Sequence, residues 1–272
     1  MSYVAIVTGA SSGIGEATVR RLAREPGVEL ILVARREDRL KQLAAEVGGA
    51  RVLALDLTDH DAPARVRDTV EAEHGQLHLL VNNAGAAWRG SFADTGWANV
   101  ARHMKLNFEA PVRLTEALLP LLRRTAQAAG TGDGRRVAIV NVASTAARVA
   151  RPSTGAYSAS KFALAGWSDS LHAEELQNGV HVGLILPGFI RTEGFPAREL
   201  PKLIVSKPEV VAEAIMQAGP GGRAERYVPR PYWLAAASRI LAPRLVRRSV
   251  AGGAFTTSTG GQADQSTSPP AD

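Results

Sequence analysis

Residues 4–24 read VAIVTGASSGIGEATVRRLAR, in which an apolar run passes through a glycine-rich turn into a helical pattern. Gly9, Gly13 and Gly15 let the backbone turn sharply, and they let an anion approach the free N–H groups at the positive end of the helix dipole. The spacing is G-x3-G-x-G rather than the commoner G-x-G-x-x-G, although the strand–turn–helix setting is the same. This stretch predicts a phosphate-binding turn after the first strand of an α/β sheet.

The alternation of apolar runs and helical patterns continues to about residue 230. The predicted strands are residues 4–8, 30–33, 52–55, 79–81, 137–142, 182–186 and 226–228. The predicted helices lie near residues 14–24, 38–47, 60–73, 96–106, 107–124, 156–177 and 208–218. Most strands are continuously apolar, which is typical of parallel strands covered on both faces. We predict one α/β domain over residues 1–230, a doubly wound parallel sheet of about seven strands with helices on both faces.

The composition is that of an ordinary globular protein, with 45% hydrophobic and 21% charged residues. No apolar run reaches the roughly 18 residues that a membrane-spanning helix needs. The start, Met1-Ser2-Tyr3, lacks the charged region of a signal peptide. The absence of cysteine excludes disulfides, thiolate metal sites and cysteine nucleophiles. We therefore expect a cytoplasmic protein without a metal site.

The net charge of +6 is concentrated near the end of the sequence. Residues 223–248 contain seven Arg and one Glu, whereas residues 1–222 contain 25 basic and 23 acidic residues. A nearly neutral main body argues against nucleic-acid binding, because the positive field of a nucleic-acid-binding domain covers its working face.

A basic amphipathic helical extension is predicted over residues 231–250, with an interruption at Pro243. Its apolar face consists of Trp233, Leu234, Ala237, Ile240 and Leu241. We expect this face to dock on the domain core or across a subunit boundary, and contact of residues 231–248 with an anionic membrane, which would make the protein membrane-peripheral, is the alternative. Residues 251–272 are mostly small or polar, which predicts a disordered tail.

The glycine turn also permits a different reading. Gly9-Ala10-Ser11-Ser12-Gly13 matches G-x-S-x-G, the nucleophile turn of serine hydrolases. Ser11 follows the first strand, however, whereas a hydrolase nucleophile follows several strands. His172 and His181 flank a helix and a strand rather than lying in a late loop. A serine hydrolase that uses Ser11 is therefore the less favoured alternative.

The end of the second predicted strand indicates which dinucleotide the turn binds. NAD-binding domains carry an acidic residue there for the ribose 2′-hydroxyl, whereas arginine accommodates a 2′-phosphate. Here the residues are Ala34, Arg35 and Arg36. Because the guanidinium fork matches phosphate oxygens, the sequence favours NADP(H). Glu37 and Asp38 follow directly, so NAD(H) remains the alternative.

Tyr157-Ser158-Ala159-Ser160-Lys161 places a phenol and an ammonium four residues apart on one helix face. Ser144 lies thirteen residues upstream at a strand end. With these residues the sequence resembles the short-chain dehydrogenase/reductase family in its single-domain branch. The matching motifs, in chain order, are Thr8-Gly9-x3-Gly13-x-Gly15, Asp56-Leu57, Asn82-Asn83-Ala84-Gly85, Asn107, Ser144, Tyr157-x3-Lys161, and Pro187-Gly188 followed by Thr192.

The resemblance implies a Rossmann-type fold and four catalytic residues. Tyr157 would donate a proton to the carbonyl oxygen in reduction, or act as base in oxidation, with Lys161 and the nicotinamide lowering its pKa from about 10. Ser144 would hydrogen-bond the substrate oxygen. Lys161 would also hold the nicotinamide ribose hydroxyls. Asn107 would anchor a water that links Lys161 to solvent.

The resemblance also implies the residues that bind the cofactor. Asp56 would contact adenine, Asn83 and Ala84 would lie near the adenosine ribose, and Ile190 and Thr192 would close over the nicotinamide. The other implied cofactor-binding residues are Gly9, Ser11, Ser12, Gly13, Ile14, Gly15, Arg35, Arg36, Leu57, Gly85, Tyr157, Lys161, Pro187 and Gly188.

Residues 189–206 correspond to the segment that forms a substrate lid in the family. Its apolar side chains are Phe195, Leu200, Leu203 and Ile204, and Trp88 adds a further wall. These residues predict a hydrophobic ketone, aldehyde or secondary alcohol as substrate; packing of the lid against the core is the alternative.

The helices predicted at residues 107–124 and 156–177 are apolar on more than one face, which predicts a homodimer or homotetramer. In sum the sequence favours an NADP(H)-dependent oxidoreductase. An NADP-binding regulatory protein without turnover is the alternative from another class.

Overall fold

The computed structural model describes residues 2–128, 135–193 and 204–251. Seven parallel strands form a sheet in the order β3-β2-β1-β4-β5-β6-β9, and β7 pairs separately with β8. The strands are β1 (Tyr3–Thr8), β2 (Val28–Ala34), β3 (Arg51–Ala54), β4 (Leu79–Asn82), β5 (Ala138–Val142), β6 (His181–Pro187), β7 (Phe189–Ile190), β8 (Val205–Ser206) and β9 (Glu225–Val228). The predicted doubly wound parallel sheet is confirmed.

Helices cover both faces of this sheet. They are α1 (Gly13–Leu22), α2 (Glu37–Glu46), α3 (Ala62–Glu73), α4 (Phe92–Met104), α5 (Ala110–Ala128), α6 (Gly155–Glu175), α7 (Pro208–Ala218), α8 (Tyr232–Leu241) and α9 (Pro243–Ala251). The Ser91 hydroxyl caps the start of α4 by accepting a hydrogen bond from the Asp94 N–H. Gly96, with a non-helical φ of 55°, then kinks α4 at the point where the predicted helix 96–106 begins. A π-helical turn, Lys105–Glu109, joins α4 to α5 without the predicted break.

The core follows from the period-2 geometry of buried strands. Along β1, Ala5 and Val7 belong to a cluster with side chains of α1, α2 and α7. Val4 and Ile6 point to the opposite face and join a cluster with side chains of α3, α5 and α6. Both faces of the strand are therefore covered, which explains its continuously apolar sequence.

The order of the strands determines where a ligand can bind. The chain runs outward from β1 through β2 to β3, then returns to β4 on the other side of β1. Loops that leave the carboxyl ends of β1 and β4 consequently diverge and leave a crevice between them. In doubly wound sheets ligands bind at this switch point.

The two C-terminal helices do not dock on the domain core through the predicted apolar face. Trp233, Leu234, Ile240 and Leu241 are each more than half exposed, whereas the small Ala236 is buried. The contacts that hold α8 in place come from Tyr232, whose hydroxyl donates to the Ile204 carbonyl at 3.1 Å. Docking of this face on the core of its own chain is thus excluded for these four side chains.

Several predictions fall on residues that are not described. They are the glycine-rich loop at 129–134, the part of the lid at 194–203 that includes Phe195, Leu200 and Leu203, and the tail from residue 252. A search of the described helices finds none long and apolar enough to cross a membrane.

Candidate active site

The glycine turn is fastened to the end of β4 through one hydroxyl group. Thr8 Oγ1 donates to the Val81 carbonyl at 3.1 Å and accepts from the N–H groups of Asn83 and Ala84 at 2.9 and 3.0 Å. The Asn83 amide donates to the Thr8 carbonyl at 2.9 Å. The Asn83 side chain therefore holds the glycine turn against the end of β4.

The glycines of the turn are required by close backbone approaches. A Cβ on Gly15 would lie 2.2 Å from the Gly9 carbonyl oxygen, and one on Gly9 would lie 2.9 Å from Ala84 Cα. Gly9 and Gly13 also have positive φ angles of 65° and 57°. The glycines therefore let the turn pack tightly on itself and on the end of β4, directly before the start of α1, where a helix N-terminus can bind a pyrophosphate.

Replacement of Gly15 by alanine is expected to lower the free energy of unfolding by about 1–3 kcal/mol, because the added methyl group meets rigid backbone. The matched control is Gly166→Ala in α6, where a Cβ would meet nothing within 4 Å. The control should raise the free energy of unfolding by about 0.5–1 kcal/mol, since alanine favours the helix. Urea-induced unfolding measures both changes. Equal stabilities of the Gly15 variant and the unmodified chain would contradict the tight packing of the turn.

Arg36 lies directly over the glycine turn. Its Nε and Nη2 donate to the Ser11 hydroxyl and carbonyl oxygens, both at 3.2 Å. Arg35 points elsewhere and its Nη1 lies 3.6 Å from Asp56 Oδ2. Among the described residues no histidine hydrogen-bonds Ser11, so the structure does not assemble the pair that the hydrolase alternative needs.

A shallow groove of about 560 Å³ opens beside the turn. It is lined by Arg35, Arg36, Glu37, Asp38, Arg39 and Gln42. Arg36 and Arg39 both approach the Glu193 carboxylate, at 3.2 and 3.6 Å. The carboxylates of Glu37, Asp38 and Glu193 offset the three guanidinium groups, but the guanidinium forks still offer hydrogen-bond donors that match phosphate oxygens.

The two residues of the Asp56-Leu57 motif lie in different surroundings, Asp56 beside Arg35 and Leu57 in the core. Burial raises the pKa of Asp56, but hydrogen bonds from the Thr58 N–H and hydroxyl and the nearby charge of Arg35 outweigh it, so the pKa is lowered. The carboxylate is thus charged beside the groove. Leu57 is buried in the hydrophobic core, so its side chain does not reach the crevice.

Tyr157 and Ser144 meet at the carboxyl end of the sheet. Ser144 follows β5 and its Oγ accepts from the Ala146 N–H at 3.1 Å, which fixes the hydroxyl in a short 3-10 turn. Burial raises the pKa of the Tyr157 phenol, while a hydrogen bond with Ser144 acts in the opposite direction. A raised pKa keeps the phenol protonated at neutral pH, the state from which it can donate a proton.

Lys161 and Asn107 lie next to Gly85. Lys161 Nζ donates to the Val142 carbonyl at 2.8 Å, and the Asn107 amide donates to the Ala86 carbonyl at 2.9 Å and to Ser160 Oγ at 3.1 Å. A Cβ on Gly85 would lie 2.9 Å from Asn107 Oδ1 and 3.4 Å from Lys161 Nζ. The structure therefore brings the ammonium, the amide and the end of β4 together, and the π-helical turn places Asn107 there.

The electrostatic partners of Tyr157 differ from those expected. Lys161 Nζ lies 6.0 Å from the centre of the phenol ring and donates to a carbonyl instead. Burial has the largest effect and raises the pKa of Tyr157; the hydrogen bond with Ser144 lowers it, and so do the charges of Arg151 and Arg89. Sequence reasoning missed both arginines, because neither belongs to a motif with a characteristic spacing.

The segment after β6 closes the site from the other side. The Pro187 carbonyl accepts from Ser144 Oγ at 3.4 Å, and a Cβ on Gly188 would lie 2.4 Å from the Tyr232 ring. A Cβ on Gly13 would lie 3.1 Å from Thr192 Cγ2, so Thr192 packs against the glycine turn. Ile190 is buried in the core instead, so its side chain does not face the crevice.

These features fit a dinucleotide. The glycine turn offers bare backbone at the start of α1, the arginine groove lies beside it, and the buried ammonium of Lys161 lies at the other end of the crevice. The residues that would hold the group are the turn, Asp56, Arg36 and Lys161. Ser12, the N-cap residue of α1, and Ile14, in its first turn, lie in the same segment.

The pH dependence of the site follows from Lys161. Burial lowers the pKa of its ammonium to about 8. Below that pH Lys161 is charged and can hold a hydroxyl-rich, anionic ligand; above it the charge is lost. We expect kcat/KM for NADPH, which reports the free protein, to fall as the pH rises through about 8.

The control is Lys161→Arg, whose guanidinium stays charged over this range, so that its profile should be flat, whatever its absolute activity. A profile of the unmodified chain that stays level between neutral and strongly alkaline pH would contradict the role of the Lys161 charge.

Comparisons with known proteins agree with this geometry. A family model described as short chain dehydrogenase matches residues 3–200. A curated zebrafish (Danio rerio) protein named dehydrogenase/reductase SDR family member 7B is 31% identical over 199 residues, which cover 70% of this chain and 61% of the relative. Oxidoreductase UcpA of Salmonella typhimurium is 36% identical over 197 residues, covering 69% of each chain.

Two solved structures are similar along most of their length. A short-chain dehydrogenase from Streptomyces avermitilis has a TM-score of 0.75 and 28% identity, and the match covers 94% of this chain and 99% of that one. An alcohol dehydrogenase from Thermococcus sibiricus complexed with 5-hydroxy-NADP has a TM-score of 0.71 and 26% identity, covering 84% and 96%.

Proposed function

The chain belongs to the short-chain dehydrogenase/reductase family, and from this premise we propose that it is an NADP(H)-dependent oxidoreductase that interconverts a carbonyl group and a secondary alcohol. The observation that carries the proposal is the meeting of Tyr157, Ser144 and Lys161 at the sheet end that also holds the glycine turn.

The chemistry proposed for each residue follows from its state in the structure. Bound NADPH supplies the hydride for the carbonyl carbon. Ser144, held in its turn by the Ala146 N–H, donates a hydrogen bond to the carbonyl oxygen, where negative charge develops. Tyr157 transfers its phenolic proton to the same oxygen, which completes the alcohol. Lys161 holds the ribose hydroxyls, and Asn107 fixes the chain segment beside it.

The preference for NADP(H) is supported by charge. Arg36 is already directed at the glycine turn, and Arg35 and Arg39 line the same groove. A 2′-phosphate supplies an anionic partner for these groups, whereas the 2′-hydroxyl of NAD does not. Glu37, the acidic residue nearest to the start of α2, pairs with Lys41 at 2.7 Å.

The substrate proposed is a hydrophobic ketone, aldehyde or secondary alcohol. Phe189 and Tyr232 line the segment after β6, on the side of the crevice where Tyr157 and Ser144 meet. Trp88 contributes less than expected, because Arg102 covers one face of its ring at 3.6 Å.

The test is the loss of NADPH absorbance in the presence of a panel of aromatic, aliphatic and steroid carbonyl compounds, repeated with NADH. The proposal expects turnover of at least one compound and a higher kcat/KM for NADPH than for NADH. Binding of NADPH without turnover of any compound would favour the regulatory alternative instead.

We also propose that the chain forms a homodimer or homotetramer through α5 and α6. Phe162 on α6 is 44% exposed, although the apolar residues on the inner face of the helix, such as Leu164, are buried. A large apolar side chain on the outer face of the helix supports its contact with a second copy of this chain. Light scattering at micromolar concentration checks this, and a monomer there would refute it.

A further inference from the structure

We propose that the crevice beside Tyr157 contains an anion-binding site formed by Arg151, so that the preferred substrate carries an anionic group, such as a carboxylate, in addition to its carbonyl. The inference rests on the proposed function and narrows its substrate class.

The backbone around Arg151 is fixed at the start of the helix that carries Tyr157. The Thr154 hydroxyl donates to the Arg151 carbonyl at 2.8 Å and accepts from the Arg151 N–H at 3.3 Å. The Gly90 N–H donates to the Ser153 carbonyl at 3.1 Å. This last bond ties the segment of Arg89 to that of Arg151, so both arginines leave the backbone on the same rim of the crevice.

The guanidinium group of Arg151 lies over an aromatic wall. Its Cζ is 4.7 Å from the centre of the Phe189 ring, and Phe189 directly follows the glycine that packs against Tyr232. Stacking on a ring orients the guanidinium while leaving its N–H donors in the plane free for a ligand. An apolar substrate body can contact the rings while an anionic group meets the N–H donors.

The charge of Arg151 has no counter-ion within the described part of the chain. Burial lowers the pKa of Arg151, and the like charge of Arg89 lowers it further. The other groups that act on it there are Tyr232 and Tyr157, neither of which is a carboxylate. By contrast Arg148, three residues earlier, pairs with Glu225 at 2.9 Å.

A partly buried cation without a counter-ion is unfavourable unless a ligand neutralises it. The two arginines also act on the Tyr157 phenol, so they lie within electrostatic reach of the oxygen that donates the proton. An anionic group bound by Arg151 would thus place a carbonyl in the same molecule close to Tyr157 and Ser144.

The experiment uses two probes that share the same aromatic aldehyde, 4-formylbenzoate and its methyl ester, of which the ester is uncharged and carries one additional methyl group. Calorimetry measures the binding of each probe to the full chain saturated with NADP⁺, and steady-state kinetics measure KM and kcat for each with NADPH. We expect the acid to bind about 10- to 100-fold more tightly than the ester, as a charge-assisted hydrogen bond allows. Arg151→Gln should remove this preference, and Arg151→Lys should restore part of it.

The matched control is Arg65→Gln on α3, which removes one surface charge of the same kind and should leave the preference unchanged. Equal binding of acid and ester to the unmodified chain overturns the proposal, even if the Arg151 variants do not fold. A preference that persists in a folded Arg151→Gln variant also overturns it. If only neutral compounds are reduced, the anion-binding site is contradicted but the proposed function stands. If no carbonyl compound is reduced, the proposed function is contradicted as well.

A second inference rests on a different part of the molecule, the outer face of α8 and α9. We infer that this face docks on an anionic lipid bilayer. Its exposed apolar side chains are Trp233, Leu234, Ile240, Leu241 and Leu245. On α8 these residues fall on one side of the helix, and Ile240 and Leu241 are 77% and 83% exposed.

The positive charge of this face indicates which kind of partner binds to it. Residues 231–251 contain Arg239, Arg244, Arg247 and Arg248 and no acidic residue. Two copies of the face would bring like charges together, which disfavours self-association, whereas anionic headgroups complement them. An apolar stripe flanked by arginines is typical of helices that lie in the membrane interface.

Vesicle flotation of the full chain tests this with phosphatidylcholine alone and with one part in four of phosphatidylglycerol. We expect flotation with the anionic vesicles, its loss in Ile240→Ser/Leu241→Ser, and about 10-fold weaker binding or more in Arg247→Gln/Arg248→Gln, since each charge contributes about 1 kcal/mol. Val210→Ser, an exposed apolar residue of α7, is the control.

An absence of flotation overturns this second inference. So does flotation that the Ile240/Leu241 variant retains. Light scattering of the same variants identifies the remaining occupant: loss of an oligomer without vesicle binding assigns the face to a second copy of the chain.

Discussion

Replacement of Tyr157 by phenylalanine is expected to lower kcat by about 10²- to 10⁴-fold while leaving the Kd for NADPH within about 3-fold, because the change removes only the proton donor. Tyr157 is half-buried, and the raised pKa keeps the phenol protonated at neutral pH. The phenylalanine ring fills the same space, so the free energy of unfolding should change little. Steady-state kinetics with the best compound of the carbonyl panel, and fluorescence titration with NADPH, give the two numbers.

The matched control is Tyr227→Phe on β9. The pKa of Tyr227 is likewise raised by burial, but its interactions are with Glu225 and Arg148 rather than with Ser144. This variant should retain the unmodified kcat. A Tyr157→Phe variant with full activity would remove Tyr157 from the mechanism. A protein that regulates through NADP binding would show no effect of this substitution on its function.

The second large effect is expected at Arg36. Replacement by alanine should lower the ratio of kcat/KM for NADPH to that for NADH by about 10- to 100-fold, because a guanidinium that can bind the 2′-phosphate is lost. The kcat/KM for NADH should change by less than about 3-fold, since no phosphate is present there. The double variant Arg35→Ala/Arg36→Ala should approach or reverse the preference.

The position of Arg36 supports this expectation more strongly than that of Arg35. Arg36 donates two hydrogen bonds to Ser11 in the glycine turn, whereas Arg35 is paired with Asp56. Arg65→Ala on α3 again serves as the surface control. An unchanged cofactor ratio in Arg36→Ala would show that the 2′-phosphate does not bind at this groove.

The fold could be predicted because its determinants are local. β1 is apolar on both faces, most of the other strands are largely apolar, and the glycine turn marks the junction of β1 and α1. Side-chain directions were less predictable. Leu57 and Ile190 belong to matching motifs, yet both point into the core. A motif specifies where the backbone passes, whereas the face that a side chain occupies depends on packing from other elements.

The candidate site could be predicted as far as sequence spacing constrains it. The pair Tyr157 and Lys161 is fixed by the helix period, and the structure places both at the end of the sheet. The segments of Arg151 and Arg89 are joined by the Gly90–Ser153 hydrogen bond, a contact between residues far apart in the sequence. No periodicity signals such a contact.

The C-terminal helices illustrate a further limit. An amphipathic pattern predicts that the large apolar side chains face a partner, but it does not specify which partner. In α8 the residues that contact the domain are Tyr232 and Ala236, and the larger Trp233 and Leu234 face outward. The pattern predicted the helix correctly. The prediction that its large apolar side chains dock on the core of the same chain was wrong.

The most direct test of the central claim follows the hydride itself. The chain is mixed with NADPH that carries deuterium at one face of the nicotinamide C4 position and with the best carbonyl compound of the panel, and the alcohol is analysed by mass spectrometry; the opposite label is run in parallel. We predict that one label, and only one, places a single deuterium on the new carbinol carbon as NADPH absorbance falls. An alcohol that carries no deuterium from either label, or NADPH absorbance that stays constant, would contradict the assignment of this crevice as a site of hydride transfer.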